Sequence, residues 1–193
     1  MCCDKSERVR PLIRAIGVIE FMSIAKGIEA TDRMLKVARV EILKSSTVCP
    51  GKYITILSGD VDDVDTAVAL GQECGGEYVV DKLTIHNIHE QLVPAIVQAN
   101  TIENSEAIGI MEFYSVTSGI LAADIAAKAA SISLIEVRIG YAIGGKGLVI
   151  ITGGLEAVQT SINKAISSSD DSDLLMQVSV IPRPEPDLLE TLL

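Results

Sequence analysis

The spacing of apolar residues changes character several times along the chain, and the changes come in a recurring order. AIGVIEF (15–21) sets glycine and apolar residues around one acid, Glu20, which is a strand pattern. Ser23 then stands where a helix N-cap belongs, and Ile24, Ile28, Leu35 and Ala38 share one face of the helix that follows. Val40–Thr47 and Tyr53–Leu57 read as two strands joined through a Cys-Pro-Gly turn. Asp60 is placed to cap a second helix carrying Val61, Val64 and Val68, which Gly75-Gly76 should stop. Val79–Ile85 supplies a last strand.

The same series begins again at Ala107 with AIGIMEF, an offset of 92 residues. Over positions 15–44, twelve residues are identical to their partners, among them Gly17, Glu20, Ser23, Gly27, Asp32 and Lys36. That match marks a duplication. Beyond Lys44 the second copy is two residues longer. Gly51-Lys52 then matches Gly145-Lys146, and YITILSGD (53–60) matches GLVIITGG (147–154). KLTIH (82–86) matches the stretch ending in QVSVIPRPEP (177–186). The chain divides into an extension at 1–14, one domain at 15–100, a second at 101–184 and a tail at 185–193.

Each copy therefore reads strand, helix, strand, strand, helix, strand. The fold class is α+β: a four-stranded antiparallel sheet with helices on one face, ferredoxin-like in topology, present twice in tandem and unpermuted. A unit of about 90 residues buries only a modest share of its surface, so oligomerisation is expected.

Composition narrows the function. The chain is 48% hydrophobic with a mean hydropathy of +0.38, ample for a core. It nevertheless holds no uncharged apolar run long enough to span a membrane. MCCDKSERVR is charged and lacks an apolar signal region, which leads to an expectation of a cytoplasmic protein. In that compartment the four cysteines are thiols or metal ligands rather than disulfides. A net charge of −10 without a basic stripe, and only two Phe and four Tyr, argue against nucleic acid.

The candidate chemistry is sparse. Gly140 to Lys146 has the spacing GxxxxGK, but Gly147 follows where a phosphate loop needs Ser or Thr, and a strand follows where it needs a helix. His86 and His89 have no third ligand nearby and read as solvated or domain-junction residues. Asp32/Lys36 and Asp124/Lys128 are ordinary i, i+4 helix pairs, and no nucleophile or base accompanies Glu20 or Glu112. No catalytic constellation emerges. Cys49 stands apart, in a turn before a proline where a buried structural cysteine is not expected. One thiolate cannot hold an iron–sulfur centre, whereas three gathered on a threefold axis supply most of a shell. An incidental thiol fits the residues equally well. Cys2, Cys3 and Cys74 suggest no role.

AIGVIE, the helix with Asp32, Met34, Lys36 and Ala38, the Gly59-Asp60 turn and the Ile181-Pro182-Arg183-Pro184 end together resemble the bacterial microcompartment shell domain. The resemblance covers both copies, essentially 15–186. Ser23–Gly27, Thr47–Lys52 and Ile143–Lys146 are similar to the tandem-domain shell proteins of propanediol-utilisation compartments. This resemblance implies a homotrimer whose six domains form a pseudohexameric tile, packed beside other shell proteins around encapsulated enzymes, possible redox partners among them. It implies that Val48, Cys49, Pro50, Gly51 and Lys52, with Ile143, Gly144, Gly145 and Lys146, form loops facing the central pore. It implies further that Cys49, once per subunit, binds one [4Fe–4S] cluster per trimer, for electron transfer or cluster carriage across the shell. Lys52 would then favour a thiolate and an anionic cluster. Lys36, Lys128 and Arg183 match tile-edge positions, and His86-Asn87-Ile88-His89 departs from the pattern by offering no arginine. Two rivals are a plain tile whose pore passes small molecules and a duplicated ferredoxin-like regulatory module.

Overall fold

A computed structural model describes residues 14–97, 106–168 and 174–192; Cys2 and Cys3 lie outside them. The first domain runs β1 (Ala15–Phe21), α1 (Ile24–Val37), β2 (Val40–Val48), β3 (Lys52–Gly59), α2 (Val61–Gly75) and β4 (Val79–His86). A short helix, α3 (Leu92–Val97), follows. The second runs β5 (Ala107–Phe113), α4 (Val116–Ala129), β6 (Ile132–Ile139), β7 (Gly147–Gly153), α5 (Leu155–Ser168) and β8 (Leu175–Pro182). It ends in α6 (Pro186–Leu192).

The sheets have orders β2-β3-β1-β4 and β6-β7-β5-β8, antiparallel throughout. Their registers coincide: Phe21 opposes Tyr53, and Phe113 opposes Gly147. A bulge follows Glu20 in one copy and Glu112 in the other. Gly17 lies under α2, where a Cβ would collide with Val68 and stand 3.0 Å from Val64. Its repeat Gly109 would meet Val158 and Ile162 of α5 at 2.8 Å. The glycines read in the sequence as part of a strand pattern are thus where helix and sheet approach most closely.

Ser23 caps α1 as expected, its hydroxyl accepting from the Lys26 N–H at 3.3 Å. Asp60 holds the N-cap position of α2, but its side chain makes no capping bond. The apolar stripe of α1 does not face its own core. Gly27, Ala30, Thr31 and Met34 are the buried residues, while Ile24, Ile28 and Leu35 are 38%, 53% and 39% exposed. Thr31 sits inside because its hydroxyl bonds the Gly27 carbonyl and the Thr55 hydroxyl, both at 2.7 Å. Two short helices, α3 and α6, were not anticipated, since each follows a proline- or histidine-bearing stretch with no full helical period.

The domains share a core. Ile16, Val18, Ile54 and Ile56 of the first sheet belong to one cluster with Leu92 and Ile96 of α3 and Val116, Ile120 and Leu134 of the second domain. Corresponding positions therefore differ sharply in burial. Ile24, Ile28 and Ile42 (44%) are exposed, and their repeats Val116, Ile120 and Leu134 are 0%, 0% and 1% exposed. The reverse holds across the other surface: Leu92 is 0% exposed and its repeat Leu188 is 39%. The α1–β2 face of the first domain is thus more open than its repeat, and α6 is less covered at Leu188 than α3 is at Leu92.

Candidate functional site

The two strand-connecting loops, 48–52 and 140–146, lie against each other. In the shorter one the Gly51 N–H closes a turn on the Val48 carbonyl at 3.0 Å, across a cis Cys49–Pro50 peptide. Gly51 has φ +107°, a conformation that a side chain would strain. In the longer loop Gly140, Ala142, Gly144 and Gly145 all have positive φ. The Gly140 N–H donates to the Lys146 carbonyl at 2.9 Å, and the Gly145 N–H donates back to the Gly140 carbonyl at 3.2 Å. A Cβ on Gly145 would collide with the carbonyl oxygen of Cys49, and one on Gly140 would stand 2.9 Å from Val48. The second domain's loop thus supports the backbone of the first domain's cysteine.

Cys49 is a free thiol, partly accessible, behind the buried Val48. Lys52 donates to Glu20 at 3.0 Å, so the ammonium expected to favour a thiolate is engaged by a carboxylate. Glu20 is 1% exposed, and its second oxygen is buried without a hydrogen-bond partner among the described residues. The pair recurs as Lys146–Glu112 at 3.5 Å, with the Glu112 side chain 35% exposed. The difference follows from the domain contact. Asp81, opposite Glu20 on β4, accepts from Ser115 at 2.9 Å and from Thr117, at the start of α4, which closes over that end of the first sheet. Among the described residues no three His, Cys, Asp or Glu side chains gather to hold a metal ion. Among the described residues, Cys49 therefore has no set of donors in its own chain with which to hold a metal ion.

Of the two histidines, His89 belongs to the domain junction, and His86 pairs within the first domain. His86 Nε2 lies 3.0 Å from Asp65 Oδ1. The His89 N–H donates to Asp124 at 2.8 Å, while its ring Nδ1 accepts from the Gln91 N–H at 3.3 Å. Lys128 bonds the same Asp124, which is 2% exposed. Lys36 bonds Asp32 at 2.5 Å in the open. Arg183 has φ +49° and its N–H donates to the Glu106 carbonyl at 2.7 Å. Asn87, with φ +52° and a 2.7 Å bond to the Arg14 carbonyl, occupies the matching position. Asn tolerates this left-handed conformation better than most residues, so the arginine's backbone role is kept where its charge is not. Cys74 lies on α2 with its sulfur 3.6 Å from Arg33.

Sequence reasoning missed Asp81, Asp124 and Gln91 as residues that fasten one domain to the other. Asp124 was legible as half of an ion pair, but nothing in the spacing distinguished it from Asp32.

A duplicated β-α-β-β-α-β unit with its paired connecting loops defines a class, and the chain belongs to the BMC domain family, whose model matches residues 15–88 and 107–184. It is 43% identical over 171 residues to the bacterial microcompartment shell protein PduT of Citrobacter freundii, covering 89% of this chain and 93% of that one. The crystal structure of a microcompartment protein from Desulfitobacterium hafniense superposes with a TM-score of 0.86 at 40% identity, over 93% of this chain and 99% of that one. The carboxysome shell protein CcmK2 of Synechocystis is 35% identical over 83 residues, 40% of this chain and 80% of that one. The chain is a structural shell protein of a bacterial microcompartment, and, like these relatives, not an enzyme.

Proposed function

We propose that three copies of this chain close head to tail into a six-domain tile of the shell, with the Cys49 loops around its central pore. The observation that supports this reading is the burial difference between matched positions. The face formed by Ile24, Ile28 and Ile42 is open in the first domain, and the same face of the second domain is covered by the first. A contact between different surfaces of one protomer propagates head to tail and is satisfied everywhere only when the ring closes. With two domains per chain, a six-domain tile takes three chains.

In this tile Cys49 supplies one thiolate per chain, and three such residues are the protein ligands for an iron–sulfur cluster at the pore. The donor type fits: a free, partly accessible thiol in a turn, with too few neighbouring donors among the described residues to bind metal alone. Bound there, a [4Fe–4S] cluster supplies one-electron redox chemistry across the shell. With three thiolates for four irons, one iron is left without a protein ligand, so the cluster is labile. Lys52 and Lys146, held by Glu20 and Glu112, line the same loops without contributing donors.

Sedimentation velocity tests the tile: a trimer supports it, and a monomer at all concentrations overturns it. Anaerobic reconstitution with iron and sulfide tests the cluster. The expected result is a brown protein with about one cluster per trimer, lost in Cys49→Ser. A trimer that takes up no iron leaves the plain shell tile, and uptake by Cys49→Ser removes Cys49 as the ligand.

A further inference from the structure

The segments that follow the two sheets are a second, shorter repeat. Asn87 and Arg183 share a left-handed conformation, and each donates its N–H to the residue preceding the first strand of its domain. From there His89 matches Glu185, Gln91 matches Asp187 and Leu92 matches Leu188. The Leu92 N–H bonds the His89 carbonyl and the Leu188 N–H bonds the Glu185 carbonyl, both at 3.0 Å. Helices α3 and α6 are therefore the same element in two settings.

Their surroundings differ. α3 lies along β6 and against α4. β6 is an edge strand, and the Gln91 side chain completes its open edge. That amide accepts from the Leu134 N–H at 2.8 Å and donates to the Ile132 carbonyl at 3.3 Å. Among the described residues α6 lies along no strand edge in this way, although Leu189 packs on Ile108 and Ile150 of its own sheet. The strand that matches β6 is β2, the edge of the first sheet, whose Ile42 is 44% exposed where Leu134 is 1%.

We propose that α6 of each protomer docks on β2 and α1 of the next, repeating between chains the contact that α3 makes with β6 and α4 within one. The occupant is a second copy of this chain, because the only surface known to take this element is the repeat of the one left open. Asp187 takes the place of Gln91 and accepts from the Ile42 N–H. Having no donor, it leaves the Val40 carbonyl to water. The Glu185 N–H takes the place of that of His89 and donates to Asp32. The junction between chains thus lacks the edge hydrogen bond that Gln91 donates within a chain. This rests on the closed ring proposed above.

Deletion of residues 185–193 and the point variant Ile42→Asp test the docking. Ile42 is already half open in the protomer, so its substitution leaves the chain folded, as circular dichroism can verify. Both variants should raise the concentration at which the trimer dissociates by at least about tenfold. At concentrations where the truncated chain is still trimeric, amide exchange in residues 40–44 should accelerate over that of the intact chain. An unchanged trimer and unchanged exchange after truncation would overturn the docking and leave the ring intact. A wild-type chain that is monomeric throughout would instead overturn the ring, and the docking with it.

Discussion

Replacing Ile28 with alanine and, separately, its repeat Ile120 separates the energetics of the chain from those of the tile. Ile120 is fully buried within the chain, in the core shared by both domains. Its truncation removes buried methylenes and leaves a cavity, which costs about 2–5 kcal/mol of folding stability. Ile28 is 53% exposed in the protomer, so its truncation removes much less there. In the closed ring that exposed half becomes buried. With about 1.5–3 kcal/mol for full burial of such a side chain, half of it amounts to ~0.8–1.6 kcal/mol per contact. Three contacts per ring bring the loss to ~2–5 kcal/mol, or roughly two to four orders of magnitude in the trimer dissociation constant. The assay is a dilution series by mass photometry beside chemical denaturation of each variant. Ile28→Ala should dissociate early while unfolding almost as the parent does, and Ile120→Ala should unfold early. A trimer of Ile28→Ala as resistant to dilution as the parent would refute the head-to-tail ring built on this face.

Three further outcomes follow from the loops and the domain junction. Gly145→Ala meets both a φ of +80° and the Cys49 carbonyl, whereas Gly144→Ala meets a φ of +68° in open space. The second should cost about 1–2 kcal/mol for the conformation alone, and the first more, with faster thiol labelling of Cys49 as the local readout. Lys52→Met leaves Glu20 buried without its cation and should cost about 3–5 kcal/mol; thermal melts should show Lys146→Met costing clearly less, since Glu112 retains water in the protomer. Asp124→Asn weakens the acceptor for both Lys128 and the His89 N–H, and should loosen the domain junction in hydrogen exchange, where Asp32→Asn in the isolated protomer should not.

The strand and helix order was legible because glycine, apolar and capping residues recur at a fixed offset, and the ends of elements moved by only a residue or two. The faces were less legible. The stripe Ile24, Ile28 and Leu35 has the spacing of a core-facing surface and is apolar for that reason, but its partner is another domain rather than its own sheet. Periodicity reports that a face is buried somewhere and does not say by what. Only comparison of each residue with its repeat separates the two cases. At the loops, the sequence exposed Cys49 by its unusual place and offered Lys52 as its electrostatic helper. It could not disclose that Glu20, five strand positions after Ala15, would take that charge.

The inequality of the two copies has a structural consequence at the loops 48–52 and 140–146. If the domains were identical, each loop would have to present a cysteine and also support its neighbour's. Here the tasks are divided. The first copy's loop is short and carries Cys49; the second copy's is two residues longer, carries no sulfur, and uses four positive-φ residues to bring its backbone against Cys49. Alanine at Gly145, the counterpart of Gly51, would destroy that approach. Fusion makes such a division possible, because the covalent link fixes which loop stands beside which. Six separate identical domains would have no means of keeping three thiols and three supports in alternation. The duplication therefore halves the number of cysteines facing the proposed pore and gives each one a dedicated backbone support.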